Sequence, residues 1–450
     1  MTNRQHVYRT LLKGPIALSA LVFLPACATP REQTLRQTHT EVGEAFPSHT
    51  VDPATLTSLD DYLAAAYQRN PQLRAAYHRW EAALEGVPQA RTLEDPSLTG
   101  TLFLEQMDTR YKVSLSQMFP AWGTLRLRTN QAGARAQAAM HAFEAERLDL
   151  FERVVRALME YQFLEQATRS TAEHVRLLEE LQEVITARYR SGSTQYPDWI
   201  KIRIEQERAQ DRLAGLQDQR LYRSEVLAAL LHLQPDAPLP WISNLAFSAP
   251  PADAIRFEDL LPQLDILNPE LRAMDAAIEV AEHAVHLARR RGWPRLMIGA
   301  EWMVMEGMEG QGDDTDVGLM AGITLPLWRS GYRAARRAAQ AEQEARQQDR
   351  QNRHNQVRAE LAMATTQYQD ASRRLERFNT SLLPQAQQAI RVARQAYADG
   401  RMEFAGMIDA YRTLLDLQLL AARAEADRGI ALADIGCCLG DPETLFEKEP

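Results

Sequence analysis

Two rhythms of apolar and polar residues alternate along this chain. From Thr124 to Tyr189 there is no proline and a single glycine, Gly133. Apolar residues recur there at helical spacing: Leu148, Phe151, Val155 and Leu158, then Leu177, Leu181, Val184 and Ile185. About 66 residues of unbroken helix make a rod of ~100 Å at about 1.5 Å per residue. A returning helix is predicted from Pro197 to Leu233. The pattern recurs from Tyr332 to Tyr397, interrupted by Pro384, and from Phe404 to Leu439. Phe404, Ile408, Tyr411 and Leu415 step by four, three and four, a coiled-coil seam. Alanines at 132, 134, 136, 138 and 139 permit close helix approach.

Between Pro96 and Pro120 the helical rhythm gives way to alternation. Leu98, Leu102 and Leu104 alternate with Thr99, Thr101 and Glu105. Met107, Asp108, Thr109 and Arg110 read as the hairpin turn. Tyr111, Val113, Leu115 and Phe119 then share one face, with Lys112, Ser114 and Ser116 on the other. In the second half Leu296, Ile298, Trp302 and Val304 alternate with Arg295, Gly299 and Glu301. Val317, Leu319, Ala321, Ile323 and Leu325 alternate with Gly318, Gly322 and Thr324. Segments of about ten residues with one apolar face are the pattern of membrane-spanning barrel strands. A soluble sheet with one wet face has the same alternation. Little of the remaining sequence could cover such a sheet, however, and aromatic residues gather near its ends (Tyr111, Phe119, Trp122, Trp293, Trp302, Trp328), as at membrane interfaces. Four strands cannot close a barrel, and lipid tolerates no open edge, so several chains must pool them.

The chain is also a tandem duplication. Asn70-Pro71-Gln72-Leu73-Arg74-Ala75 returns as Asn268-Pro269-Glu270-Leu271-Arg272-Ala273, an offset of 198 between positions 70 and 268. Phe119-Pro120-Ala121-Trp122 returns as Leu325-Pro326-Leu327-Trp328, and Tyr189-Arg190-Ser191-Gly192 as Tyr397-Ala398-Asp399-Gly400. Asn-Pro supplies a capping side chain ahead of a proline at the first helical position. Tyr-x-x-Gly ends a helix on a residue free to turn left-handed. The expected repeats are 58–233 and 258–440, with hairpins at 96–120 and 294–328, a linker at 234–257 and an acidic tail at 441–450.

Charge and targeting narrow the reading. The net charge is −9, which argues against nucleic acid as a partner. No stretch beyond the amino terminus has the roughly 20 apolar residues of a membrane helix. Arg4, Arg9 and Lys13 precede an uncharged run from Gly14 to Ala26, the pattern of an export signal over residues 1–26. The run ends Leu24-Pro25-Ala26-Cys27, which resembles a bacterial lipobox. That resemblance implies lipidation of Cys27 and, with Ala28 following, an outer-membrane destination. Residues 27–57 read as an extended, lipidated tether. Cys437 and Cys438 lack metal-site or disulfide spacing and read as two small buried residues. No Walker loop, nucleophile elbow, zinc-protease helix or dinucleotide fingerprint is present, so no cofactor and no enzyme activity is expected.

Two repeats of helix, hairpin, long helix and returning helix resemble the TolC-type outer membrane efflux factors over residues 58 to 440. The pieces that carry the resemblance are Asn70-Pro71-Gln72-Leu73, Gln117-Met118-Phe119-Pro120-Ala121-Trp122-Gly123, and Gly400 followed by Ile408-Asp409-Ala410. The resemblance implies an α+β membrane protein. Four transmembrane strands per protomer would join a trimeric, twelve-stranded β-barrel above a helical coiled-coil barrel in the periplasm. It implies a homotrimer that engages a periplasmic adaptor and an inner-membrane pump of the RND type. It also implies an acidic ring at the periplasmic constriction: Asp409 matches the second aspartate of the family's tip motif, Gly406 stands at the first, and Asp198 is the equivalent in the first repeat. The alternative is a lipid-anchored periplasmic coiled-coil scaffold without a pore.

Candidate chemistry on the pore side comprises Lys112, Ser114, Ser116, Glu301, Met303 and Met305. Thioethers suit copper(I) and carboxylates suit harder cations. The segment Pro326–Ala334 also resembles the heavy-metal-efflux branch of the family. Metal export is therefore preferred over drug or protein export. His283 and His286 could pair on a helix, but Arg289, Arg290 and Arg291 beside them argue for a wet helix face.

Overall fold

The computed structural model describes residues 28–44, 46, 56–104, 109–192, 195–234, 238–242, 249–305 and 314–441. The first half runs α1 (Pro30–Glu44), α2 (Leu59–Arg69), α3 (Pro71–Arg91), β1 (Ser97–Leu102), β2 (Thr109–Phe119), α4 (Thr124–Arg190) and α5 (Tyr196–Leu230). The second runs α6 (Phe257–Leu267), α7 (Pro269–Arg290), β3 (Leu296–Met305), β4 (Asp314–Ile323), α8 (Arg329–Arg377), α9 (Leu383–Ala398) and α10 (Phe404–Leu439).

Helix α4 is one element of 67 residues. Its counterpart is divided: a five-residue π-helical turn, Phe378–Leu382, separates α8 from α9. Pro384 cannot donate to the turn before it. The chain nevertheless stays helical, with Leu382 at φ −71° and ψ −43°. A widened turn absorbs the missing bond, so Pro384 interrupts the pattern without ending the rod.

Both Asn-Pro landmarks do more than start a helix. Asn70 accepts from the backbone N–H groups of Gln72 (2.9 Å) and Leu73 (3.2 Å). Its amide donates to the Leu230 carbonyl at the end of α5. Asn268 caps Leu271 at 2.9 Å and donates to the Cys438 carbonyl at the end of α10. Each repeat is thus closed by the same side chain joining its second helix to its last. The two halves also share a tyrosine. Tyr161 and Tyr368 are fully buried and donate from their hydroxyls to backbone carbonyls of the inter-repeat linker, at Leu239 (2.6 Å) and Pro250 respectively.

The main core lies in the first repeat, where Trp80, Phe151, Leu158 and Tyr161 are buried between α3 and α4. A second core around Leu361, Tyr368 and Leu432 joins α8 to α10. A third packs α4, α5, α9 and α10 together near the turns, through Ile185, Ile202, Ile390 and Phe404.

The segment after Cys27 is not extended throughout, contrary to the sequence reading. Residues 30–44 form α1, which buries Leu35 and the carboxylate of Glu32 against the body. Glu32 pairs with Arg36 and Arg91 at 3.1 Å, and Arg31 holds Glu279 of α7 at 2.6 Å. His39 stacks on Tyr77 of α3 at 4.1 Å. Tertiary pairing thus organises a stretch whose polar composition suggested a free tether.

The four strands make one antiparallel sheet in the order β1-β2-β3-β4. Thr109 and Arg110, expected in the first turn, belong to β2. The Arg110 carbonyl accepts from the Phe103 N–H at 3.1 Å. Cross-strand bonding therefore extends further toward the hairpin end than the sequence suggested.

Candidate functional site

The sheet has two unlike faces. Leu98, Leu115, Ile298, Trp302 and Leu319 stand on one of them, and Leu319 is 90% exposed. Among the described residues of this face only Val304, near the hairpin end, is buried. At about 3.3 Å per residue the ten-residue strands reach ~33 Å, enough to cross a bilayer when tilted. Among the described residues, strands β1 and β4 each present an unpaired edge.

The other face gathers every pore-side candidate. Register sets Lys112 opposite Met303, Ser114 opposite Glu301 and Ser116 opposite Gly299. Met303 faces Asp316 on β4 and Met305 faces Asp314. The Lys112 ammonium forms an ion pair with Glu301 across the strands, and the Ser116 hydroxyl meets that of Ser97 at 2.8 Å. Three further methionines share the face. Met118 is opposite Met297, and Met320 is opposite Gly299. The Met320 and Met297 methyls lie over Gly299 and Gly322, where an added Cβ would stand 3.1 and 3.0 Å from them. Sequence reasoning passed over these three, although simple parity along each strand puts them on the polar side. Only the β2–β3 register shows that they converge.

The opposite end of the molecule is built by two turns. Gly192 and Gly400 adopt φ of +73° and +70°, the left-handed values that end α4 and α9 and reverse the chain. Asp198 lies in the first turn of α5, half-buried, and Asp409 stands exposed one turn into α10. The structure therefore brings the two carboxylates to the same end. Gly406 is exposed on α10 and packs near Met402.

An ionic clamp joins the two returning helices beside them. Arg412 of α10 donates to both carboxylate oxygens of Glu205 on α5, through Nε at 2.7 Å. This bidentate pair raises the Arg412 pKa. Arg212 and Asp416 add a second bridge at 3.6 Å. The buried His174 imidazole lies close by, and desolvation holds its pKa below the ordinary value. Sequence reasoning missed the clamp. Its one signal is that the repeats place Glu205 and Arg412 within a residue of equivalence, counting from the starts of α5 and α10.

Cys27 lies outside the described residues. Burial drives the Cys437 thiol far up and the Cys438 thiol up to about 12, so both remain protonated and unreactive. His283 sits 3.5 Å from Glu279, one turn away on the same helix.

A sheet with a bare apolar face and two open edges, carried on helices of about 100 Å, defines an oligomeric membrane channel subunit. The chain belongs to the outer membrane efflux protein family, whose model matches residues 63–231 and 260–441. Members of this family are trimeric outer-membrane channels that work with an adaptor and an inner-membrane pump, with their helices in the periplasm. They are channels rather than enzymes. No curated protein sequence matches the chain. The fold is shared with VceC, an outer membrane protein of Vibrio cholerae, at 20% identity and a TM-score of 0.70, covering 85% of this chain and 96% of that one. It is shared with the Campylobacter jejuni CmeC outer membrane channel at 14% identity and a TM-score of 0.72, covering 85% of each chain. The channel-forming CusC gives 16% identity and a TM-score of 0.72, covering 88% of this chain and 96% of that one.

Proposed function

We propose that this chain, after loss of residues 1–26, is a lipid-anchored homotrimeric exit duct that passively conducts exported cargo delivered by an adaptor and an RND-type pump. One observation carries the reading: an apolar sheet face open to its surroundings, flanked by two unpaired edges, is compatible with lipid only if copies pool their strands. A scaffold without a pore would leave that face in water. The test is heat-modifiable trimers in outer-membrane fractions together with conductance in planar bilayers. Monomers that stay soluble after removal of the acyl group and carry no current would exclude the duct.

Anchoring at Cys27 is supported by the direction of α1. Arg31 reaches Glu279 and packs against Gly133, in the parts of α7 and α4 that lead to the strands, while α1 then runs away from them. Cys27 precedes Arg31 by four residues in the sequence. Acyl labelling lost in Cys27→Ser is the expected result; labelling that survives would refute it.

Threefold copies of Asp409 and Asp198 would form an acidic ring at the periplasmic mouth, attracting cations and holding them weakly. Loss of divalent-cation block in Asp409→Ala is expected; unchanged block counts against the ring. For cargo, five thioethers on the polar face (Met118, Met297, Met303, Met305 and Met320) with Glu301 and Asp316 favour metal cations, soft ones above all. Deletion of the gene should sensitise cells to copper or silver more than to hydrophobic drugs; the reverse order assigns the drug reading.

A further inference from the structure

A second charged feature stands where the helices meet the strands. A cavity of about 730 Å³ opens between the start of α4, the end of α7 and the start of α8. Arg126, Arg289, Arg290, Arg333 and Arg336 line it, around Trp293. An adjoining cavity of about 430 Å³ shares Arg290 and Trp293, and adds Arg128, Arg291 and Arg295. No carboxylate lines either cavity. Among the described residues none of these eight arginines forms an ion pair, in a chain whose net charge is −9. Several arginines elsewhere do pair with carboxylates, among them Arg31, Arg156, Arg350, Arg353 and Arg412. Most of these arginines are exposed, so water solvates them, but their like charges repel at close quarters and an anion from outside would relieve that repulsion.

Position says which anion. Trp293 precedes β3 by three residues, and Trp122 and Trp328 follow β2 and precede α8 at the same level, 90% and 80% exposed. Exposed tryptophans at the ends of membrane strands mark the depth of the lipid headgroups. The Arg290 guanidinium lies over the Trp293 ring at 4.1 Å. The face matters as well. On α7, Glu279, His283, His286 and Arg290 follow one another at helical spacing, and on α4 Arg126 is two turns from Gly133. Glu279 and Gly133 are the residues that α1 covers through Arg31. The cavity therefore lies on the face of α4 and α7 that α1 covers, which is the lipid side if Cys27 is acylated. The inference rests on the lipid-anchored reading in that respect.

We propose that this arginine-lined junction is a binding site for the headgroup of an anionic phospholipid in the periplasmic leaflet of the membrane that the strands span. Forked guanidiniums match phosphodiester oxygens bidentately, while Trp293 and the exposed Leu325 offer contact to the glycerol and first acyl carbons. The site would fix the depth and tilt of the trimer, and select charged lipid over zwitterionic lipid.

The test is native mass spectrometry of the full-length trimer released from mixed phosphatidylethanolamine and phosphatidylglycerol vesicles. Phosphatidylglycerol should be retained at least about tenfold above its share of the vesicle. The triple variant Arg126→Gln, Arg290→Gln, Arg333→Gln should lose that enrichment while remaining trimeric. Equal retention of both lipids by the unaltered protein, or unchanged enrichment in the triple variant, would overturn the proposal. So would displacement of the lipid by millimolar inorganic phosphate, which would make this a site for free anions. If the triple variant does not assemble, the titration of the unaltered protein against lipid ratio still decides. The mass added at Cys27 is read in the same spectra, so failure of the anchor and failure of the lipid site are seen separately.

Discussion

The sheet and the helical body place the same side chains in opposite positions. On the sheet, Leu98, Ile298 and Leu319 point outward and are bare. Among the helices, Leu158, Leu361 and Leu432 are sealed from solvent. Apolar surface is stabilised by leaving water, so one rule gives both arrangements only if the two regions meet different surroundings. Hydrocarbon surrounds the strands and water surrounds the rods. Polar groups invert in step: the Lys112–Glu301 pair lies on the face of the sheet opposite the bare apolar one, whereas the Arg350–Asp275 and Arg353–Glu270 pairs lie on the wet side of the rods.

That contrast can be broken most sharply by one truncation made twice. Leu361→Ala in the second core should cost about 2–5 kcal/mol, read as a lower denaturation midpoint. Leu319→Ala on the apolar sheet face should leave that midpoint nearly unchanged. Equal losses at both sites would mean the sheet face is buried in protein instead. A charge reverses the ranking at the sheet. Leu319→Arg should cost about 2–4 kcal/mol at mid-bilayer depth, seen as a fall in heat-modifiable trimer with the helical circular dichroism signal intact.

Asp434 offers a smaller effect that belongs to the helical body alone. Burial pushes its pKa up to about 6, although Arg156 stands 2.8 Å away. An acid whose folded pKa is raised binds its proton more tightly when folded, so stability falls as pH rises from about 4 to 6 and stays lower above that. Asp434→Asn should therefore raise stability at pH 8 by about 1–3 kcal/mol. The gain should fade toward pH 4. A gain independent of pH would trace the effect to packing. The smallest change expected is at the tip, where Gly400→Ala at φ +70° should cost about 1–2 kcal/mol. Fraying of the α9–α10 turn in hydrogen exchange would report it, with no effect at the sheet.

Much of this was readable from local pattern. Helix period, strand alternation and the Tyr-x-x-Gly and Asn-Pro landmarks depend on neighbours a few residues away, and all are present as elements in the structure. The pore-side candidates were read by parity, and they do share one face. The turn reading misled at Thr109 and Arg110, because a hairpin's length is set by cross-strand bonds rather than by turn-forming residues. Parity went unused at Met118, Met297 and Met320, which look like ordinary apolar residues until their register is known. Composition misled at 30–44, where a polar helix owes its order to Arg31, Glu32 and His39 meeting partners far along the chain.

The sequence by itself determined the lengths of the rods, the placement of the strands, the duplication and the reversal points, since each follows from short-range sterics and periodicity. Only the tertiary structure decided that Asn70 and Asn268 close each repeat, and that Glu205 meets Arg412. It alone decided that arginines from α4, α7 and α8 converge beneath the strands. Those contacts join residues as many as about two hundred positions apart, and whether two such residues meet depends on the register and crossing of whole helices. No local pattern encodes that register; it is fixed when the rods pack.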